Sequence, residues 1–316
     1  MKLATLHNGT PDGQLHVVST DLTRALPFGT TLQDALERWD AVVSELRALS
    51  DRVKDGHGHA FDPATAAAPL PRAWQWLDGS AFANHGHLMQ KAFNLPPIET
   101  DLPLMYQGLS HQFLGPCDDA RFPSEADGID FEGEFAVVTD FVAMGTKAED
   151  ALAHVRLCLI VNDWSLRAIA PIEMKTGFGW IQAKPACALS PVAVTPDELG
   201  SVWRDGRIQA SMHATLNGTA FGRVPATEMA FGFHELIAHA ARTRDLPAGT
   251  IIGSGTVSST SYAEVGSCCI AERRAIEMIK DGKPETPFMR AGDTIRLHAD
   301  NPLLFGSIDQ KVVIVP

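Results

Sequence analysis

Apolar and polar side chains alternate from Ile129 to Phe135: Ile129, Phe131 and Phe135 are apolar, while Asp130, Glu132 and Glu134 are carboxylates. A period of two predicts a strand. On it Glu132 and Glu134 share a face, with Cα atoms roughly 6–7 Å apart. Two like charges so placed suit a solvated edge, or a buried face with a cation between them. The stretch alone leaves both open. The next run, Phe135-Ala136-Val137-Val138, is apolar enough for a buried strand.

The same reading divides the rest of the chain. Residues 3–6 and 14–18 read as short strands around the turn-rich Asn8-Gly9-Thr10-Pro11-Asp12-Gly13. Leu32, Ala35, Leu36, Trp39, Val42, Val43 and Leu46 recur at helical spacing, which predicts a helix over 31–53 capped by Thr31. Residues 57–70 read as a connection, so a small N-terminal domain is expected at 1–70 and a larger one at 71–316. In the larger part, 74–77 predicts a strand ending at Asp78. Residues 79–93 predict a helix with Asp78 at its N-cap. Residues 94–128, with many prolines and glycines, read as short strands and loops. Spacing predicts helices over 148–161 and 227–242, and strands over 251–254, 276–279, 294–298 and 312–315. Long runs of strand broken by isolated helices predict a β-rich α+β fold without regular βαβ alternation.

Composition narrows the function classes. The 316 residues carry a net charge of −12 and no basic run, which argues against nucleic acid or an anionic membrane as partner. That balance is compatible with a divalent cation. The five cysteines (117, 158, 187, 268 and 269) show no CxxC spacing, so neither a disulfide framework nor a zinc ribbon is expected, and a reducing cytoplasm fits. No leader-like apolar core starts the chain. No apolar stretch approaches the roughly 18 residues of a membrane span. Phosphate-binding glycine loops are absent too.

Several residues could carry chemistry. Asp78 and His85 lie seven positions apart, which on one helix puts them on a shared face roughly 10 Å apart. That suits an ion-binding carboxylate with a base beyond it; a plain cap and a structural histidine account for the same residues. Asp163 follows the apolar run 157–161, and a charge ending a buried element needs a partner. With Arg167 it also makes an i, i+4 pair of the kind found on helix surfaces. Lys184 sits in the apolar Ile181-Gln182-Ala183-Lys184-Pro185. Buried beside carboxylates it would stay charged and steady an oxyanion; on the surface it would be ordinary. Gly253-Ser254-Gly255-Thr256-Val257-Ser258 can present hydroxyls and backbone N–H groups, or turn a corner.

Taken in order, these residues resemble the fumarylacetoacetate hydrolase family over roughly 71–316. The likeness lies in Asp78 with His85, Asp130-Phe131-Glu132-Gly133-Glu134, Asn162-Asp163-Trp164-Ser165, Lys184, the 253–258 loop and the closing Phe305-Gly306-Ser307-Ile308-Asp309-Gln310. The first seventy residues are similar, more loosely, to the smaller N-terminal domain of longer members. The resemblance implies a large C-terminal mixed β-sandwich or roll. It implies Asp78, Glu132, Glu134 and Asp163 as ligands of one Mg2+, or of Ca2+ or Mn2+ in its place. It makes His85 the general base, oriented by a glutamate for which Glu272 is the candidate. Lys184 would stabilise charge, and Tyr106, Arg167 and Thr256 would contact substrate. The activity implied is hydrolysis of a C–C bond in a 1,3-diketo acid, as in aromatic-compound and tyrosine degradation, by a homodimer. The same scaffold also supports decarboxylation, hydration or tautomerisation of 2-oxo acids such as oxaloacetate, and a non-catalytic ligand-binding member is a third possibility. Ser80, Ala170, Met174 and Ala188 depart from the animal fumarylacetoacetase pattern, which has Tyr, Gln, Tyr and Thr there. Those changes bear on the substrate more than on the metal set or the base.

Overall fold

The computed structural model describes residues 1–94, 96 and 100–315. The loop reading at 95 and 97–99 lies outside the described residues. The architecture is α+β. Its spine is a 12-stranded sheet running through His59–Ala60, Arg24–Pro27, Gln14–Val18, Lys2–Leu6, Ala193–Val194, Val155–Asn162, Gly133–Thr139, Ile251–Gly253, Trp76–Gly79 and Met105–Gln107, with two short strands off that path. The N-terminal strands and those around the carboxylates thus belong to one sheet, joined where Lys2 and Leu3 pair with Val194 and Ala193.

The central strands are apolar on both faces because both are covered. Ala136, Val138, Leu157, Leu159 and Val161 pack with Leu32, Leu36, Trp39 and Leu46 of the N-terminal helices. Phe135, Val137, Cys158 and Ile160 face the other way, onto Met212, Ala214, Leu297 and Ile308. Those four belong to a five-stranded sheet ordered Thr219–Pro225, Ser211–Leu216, Thr294–Ala299, Ser307–Ile314 and Ala120–Phe122.

Several expectations change. The helix over 148–161 is instead a short turn of helix, Ala148–Ala151, a 3-10 turn, Leu152–His154, and the long strand Val155–Asn162. A strand buried on both faces presents an unbroken apolar run, whose period is ambiguous. The strand over 276–279 lies inside the helix Ile270–Asp281. Its start is fixed by acceptors remote in sequence: Asp130 accepts from Ile270 N and Ala271 N, at 2.7 and 2.9 Å. The 31–53 helix breaks at Arg38 into Leu32–Glu37 and Trp39–Lys54, with the buried stripe continuing across. The 227–242 helix is confined to Phe233–Ala240, where Glu235 accepts from Gly232 N at 2.7 Å. Asp78 caps nothing: it lies in the strand Trp76–Gly79, and the helix Ala83–Phe93 starts after Phe82.

Candidate active site

The acidic residues collect at one end of the spine. Asp78 is the last residue but one of the strand Trp76–Gly79, which runs parallel to Ile251–Gly253, and Tyr106 pairs with it from the other side. Glu134 is the second residue of Gly133–Thr139, whose partner strand ends at Asn162, next to Asp163. The expected strand 129–135 is interrupted: Ile129–Asp130 pairs with Ser165–Leu166, and regular pairing resumes at Gly133. Its acidic side is not wet. Asp130, Glu132 and Glu134 are 0, 4 and 0 % exposed.

Asp78, Glu134 and Asp163 converge, with ligand oxygens all within 4.8 Å of one another. Backbone space makes this possible. A Cβ on Gly253 would overlap Asp78 Oδ1, and Gly255, at φ +76°, points its N–H at the same oxygen, 3.1 Å away. Both carboxylate oxygens of Glu134 are buried with no N–H or hydroxyl donor among the described residues; the Asp78 carboxyl is the group they can share a proton with. Burial, reinforced by the neighbouring acids, pushes Glu134 and Asp78 well above the usual carboxylate range. A buried carboxylate without a donor is costly unless it is protonated or faces a cation. An all-oxygen set of this kind suits a hard divalent cation, so the residues present fit one.

Glu132 is held differently. Its Oε1 accepts from Arg167 Nη2 at 2.6 Å; its Oε2 accepts from Lys184 Nζ at 2.5 Å and Ser165 Oγ at 3.1 Å. Burial would raise its pKa, but Arg167 and Lys184 hold it well below the usual range. Lys184 also donates to Asp163 Oδ2 at 2.5 Å, and Tyr106 Oη to the same oxygen at 2.7 Å. Burial alone would lower the Lys184 pKa; Asp163 and Glu132 keep it above its ordinary value. Arg167 pairs further with Asp130 at 2.8 Å. It is bound to two buried acids, not to Asp163 across a helix face.

His85 lies on the helix Ala83–Phe93, and Glu272 on Ile270–Asp281. They meet at 3.1 Å, Nδ1 to Oε2. Glu132 stands between the two groups: it shares Lys184 with Asp163, and with His85 and Cys269 it forms a second set of possible ligand atoms within 4.8 Å of one another. Thr256 is buried at 5 % exposure. Sequence reasoning passed over Asp130, Ser165, Cys187 and Cys269. The Cys187 thiol donates to Asp163 Oδ1 at 3.0 Å. Asp130 and Ser165 lie inside the quoted motifs, so their position was a usable signal; nothing near Cys187 marked it.

The closing motif also reaches the site. Gln310 Oε1 accepts from Trp164 Nε1 at 2.9 Å and Asn162 Nδ2 at 3.2 Å. Asn162 Oδ1 in turn accepts from Glu132 N at 3.1 Å.

Comparison with known proteins bears on this arrangement. The family model described as fumarylacetoacetate hydrolase C-terminal matches residues 75–313, and that for fumarylacetoacetase N-terminal domain 2 matches residues 1–72. An oxaloacetate tautomerase, fahd2, of Xenopus laevis is 26% identical over 67% of this chain and 58% of its own. A 2,4-didehydro-3-deoxy-L-rhamnonate hydrolase of Sphingomonas sp. is 26% identical over 64% of this chain and 62% of its own. The chain therefore spans about three fifths of the length of these two relatives. The crystal structure of a 5-carboxymethyl-2-hydroxymuconate delta-isomerase from Mycobacterium smegmatis superposes with a TM-score of 0.63 at 17% identity, covering 100% of both chains.

Proposed function

The chain belongs to the fumarylacetoacetate hydrolase family, and we propose that it is a divalent-cation-dependent enzyme hydrolysing a C–C bond in a 1,3-diketo acid, such as fumarylacetoacetate or a related acylpyruvate. The observation that carries this reading is a half-buried His85 paired with the fully buried Glu272, beside a carboxylate cluster whose Glu134 accepts from no N–H or hydroxyl among the described residues. Asp78, Glu134 and Asp163 would hold Mg2+ or a similar ion, with Glu132 at its edge. The ion would supply electrostatic stabilisation of a chelated diketone.

The protein's own residues do the rest. Glu272 accepts from His85 Nδ1, which leaves Nε2 as the basic nitrogen. His85 Nε2 takes a proton from water, and the hydroxide oxygen bonds to the carbonyl carbon. Lys184 uses two of its three N–H groups on Glu132 and Asp163. The third can meet the developing oxyanion, worth about 3–4 kcal/mol for a well-placed donor. When the C–C bond breaks, its electron pair leaves as an enolate, and His85 returns the proton. Tyr106 and Thr256 contact the substrate; Arg167 acts through Glu132.

The likeness to an oxaloacetate tautomerase favours a second reading, keto–enol interconversion of a 2-oxo acid by the same base without water. A panel of acylpyruvates, fumarylacetoacetate and oxaloacetate, with and without Mg2+, separates the two. Cleavage of an acylpyruvate only with Mg2+ supports hydrolysis; enolisation of oxaloacetate without any cleavage selects the second reading. His85→Ala should abolish turnover while calorimetric Mg2+ binding persists. Loss of both together would remove His85 from the base role.

A further inference from the structure

We propose that His85, Glu132 and Cys269 form a second cation site beside the carboxylate cluster, selective for a borderline-soft ion of the Zn2+ type. Their ligand atoms lie within 4.8 Å of one another. The donor set differs in kind from its neighbour. Asp78, Glu134 and Asp163 offer oxygen alone, as Mg2+ and Ca2+ prefer. Imidazole nitrogen, thiolate sulfur and one carboxylate oxygen are the donors Zn2+ takes.

Two further observations point to an ion there. Ligating histidines ordinarily give their other ring nitrogen to a carboxylate, which fixes tautomer and orientation. His85 Nδ1 meets Glu272 Oε2 in that way, and Glu272 is fully buried with its Oε1 lacking a partner among the described residues. The second is charge. Asp78, Asp130, Glu132, Glu134, Asp163 and Glu272 are all buried, at 5 % exposure or less. The basic groups paired with them are Lys184, Arg167 and, when protonated, His85. With all six acids ionised and His85 neutral, one divalent ion in the oxygen cluster leaves half of the unmatched negative charge in place. Arg167 and Lys184 oppose an ion near Glu132, yet each is also paired with an aspartate, Asp130 or Asp163.

An ordinary thiol carries its proton at neutral pH and binds metal as the thiolate. Binding therefore forms the sulfur–metal bond and releases the thiol proton to solvent. It also occupies His85 Nε2. On the reading proposed above, the ion blocks the base, so trace Zn2+ acts as an inhibitor of the Mg2+-loaded enzyme. Only that consequence rests on the proposed activity.

Co2+ added to Mg2+-saturated protein is the test, because a thiolate ligand gives it a near-ultraviolet charge-transfer band independent of turnover. We expect that band, one proton released per ion, and displacement by Zn2+. Cys269→Ser should abolish the band, and Cys187→Ser, at the neighbouring cluster, should keep it. Glu272→Gln should weaken Co2+ binding by roughly 10–100-fold. No band, or a band that survives Cys269→Ser, overturns the site. If Cys269→Ser does not fold, His85→Gln serves in its place, and an unchanged cobalt spectrum there overturns it equally. An enzyme inactive on every substrate of the panel would still give these spectra.

Discussion

Glu132 and Glu134 are two residues apart, equally buried, and in opposite electrostatic states. Glu132 is clasped by Arg167, Lys184 and Ser165, and its pKa lies low. Glu134 has no donor, and its pKa lies high. Arg167 and Lys184 balance the charge of one acid; the other faces two further acids, Asp78 and Asp163. Burial alone does not set a carboxylate's charge; its partners do.

The largest effect expected from breaking this contrast is in Lys184→Met. It strips the cation from Glu132 and Asp163, and leaving buried charges unpaired should cost about 3–5 kcal/mol in urea unfolding. A loss under 1 kcal/mol would mean that Glu132 is not held by this pair. Next is the cation: Mg2+ at about a hundred times its Kd should stabilise the metal-free protein by about 2.7 kcal/mol. No rise in Tm would deny the cluster an ion. Smaller again is Glu134→Gln, which removes an unmatched charge and should stabilise the metal-free protein by about 1 kcal/mol while cancelling the Mg2+ gain. Glu132→Gln should destabilise it.

The gentlest test is pH. Glu134 binds its proton more tightly when folded, so the metal-free protein should lose stability as pH rises above the usual 4.5 toward the folded value. Glu132 behaves oppositely: its contribution is present above 4.5 and disappears as pH falls toward its lowered folded value. Melting curves across pH, with and without Mg2+, should show the first slope vanish when the ion is added. A slope indifferent to Mg2+ would assign it to other groups.

The sequence marked residues that the fold brings together more surely than it marked the elements that carry them. Alternation at 129–135 drew attention to three acids that prove buried, and the apolar setting of Lys184 matched its place between two carboxylates. Asp78 and His85 both reach the site, but not through the shared helix that their spacing implied. Short apolar runs misled: Val155–Asn162 is buried on both faces, and Ile276 and Ile279 look β-like within a helix whose start Asp130 fixes from far along the chain. Tertiary partners such as Arg167 for Glu132, or Cys187 for Asp163, leave no local trace.

The hydrogen-bond chain from Gln310 through Asn162 to the Glu132 amide has a consequence for biosynthesis. A polypeptide leaving the ribosome carries Asp78, Glu132, Glu134 and Asp163 well before the strand Ser307–Ile314 has been translated. The pocket therefore cannot be finished until the strand Ser307–Ile314 has been made, and a nascent chain stalled short of it would carry Asn162 and Trp164 without the Gln310 that braces them.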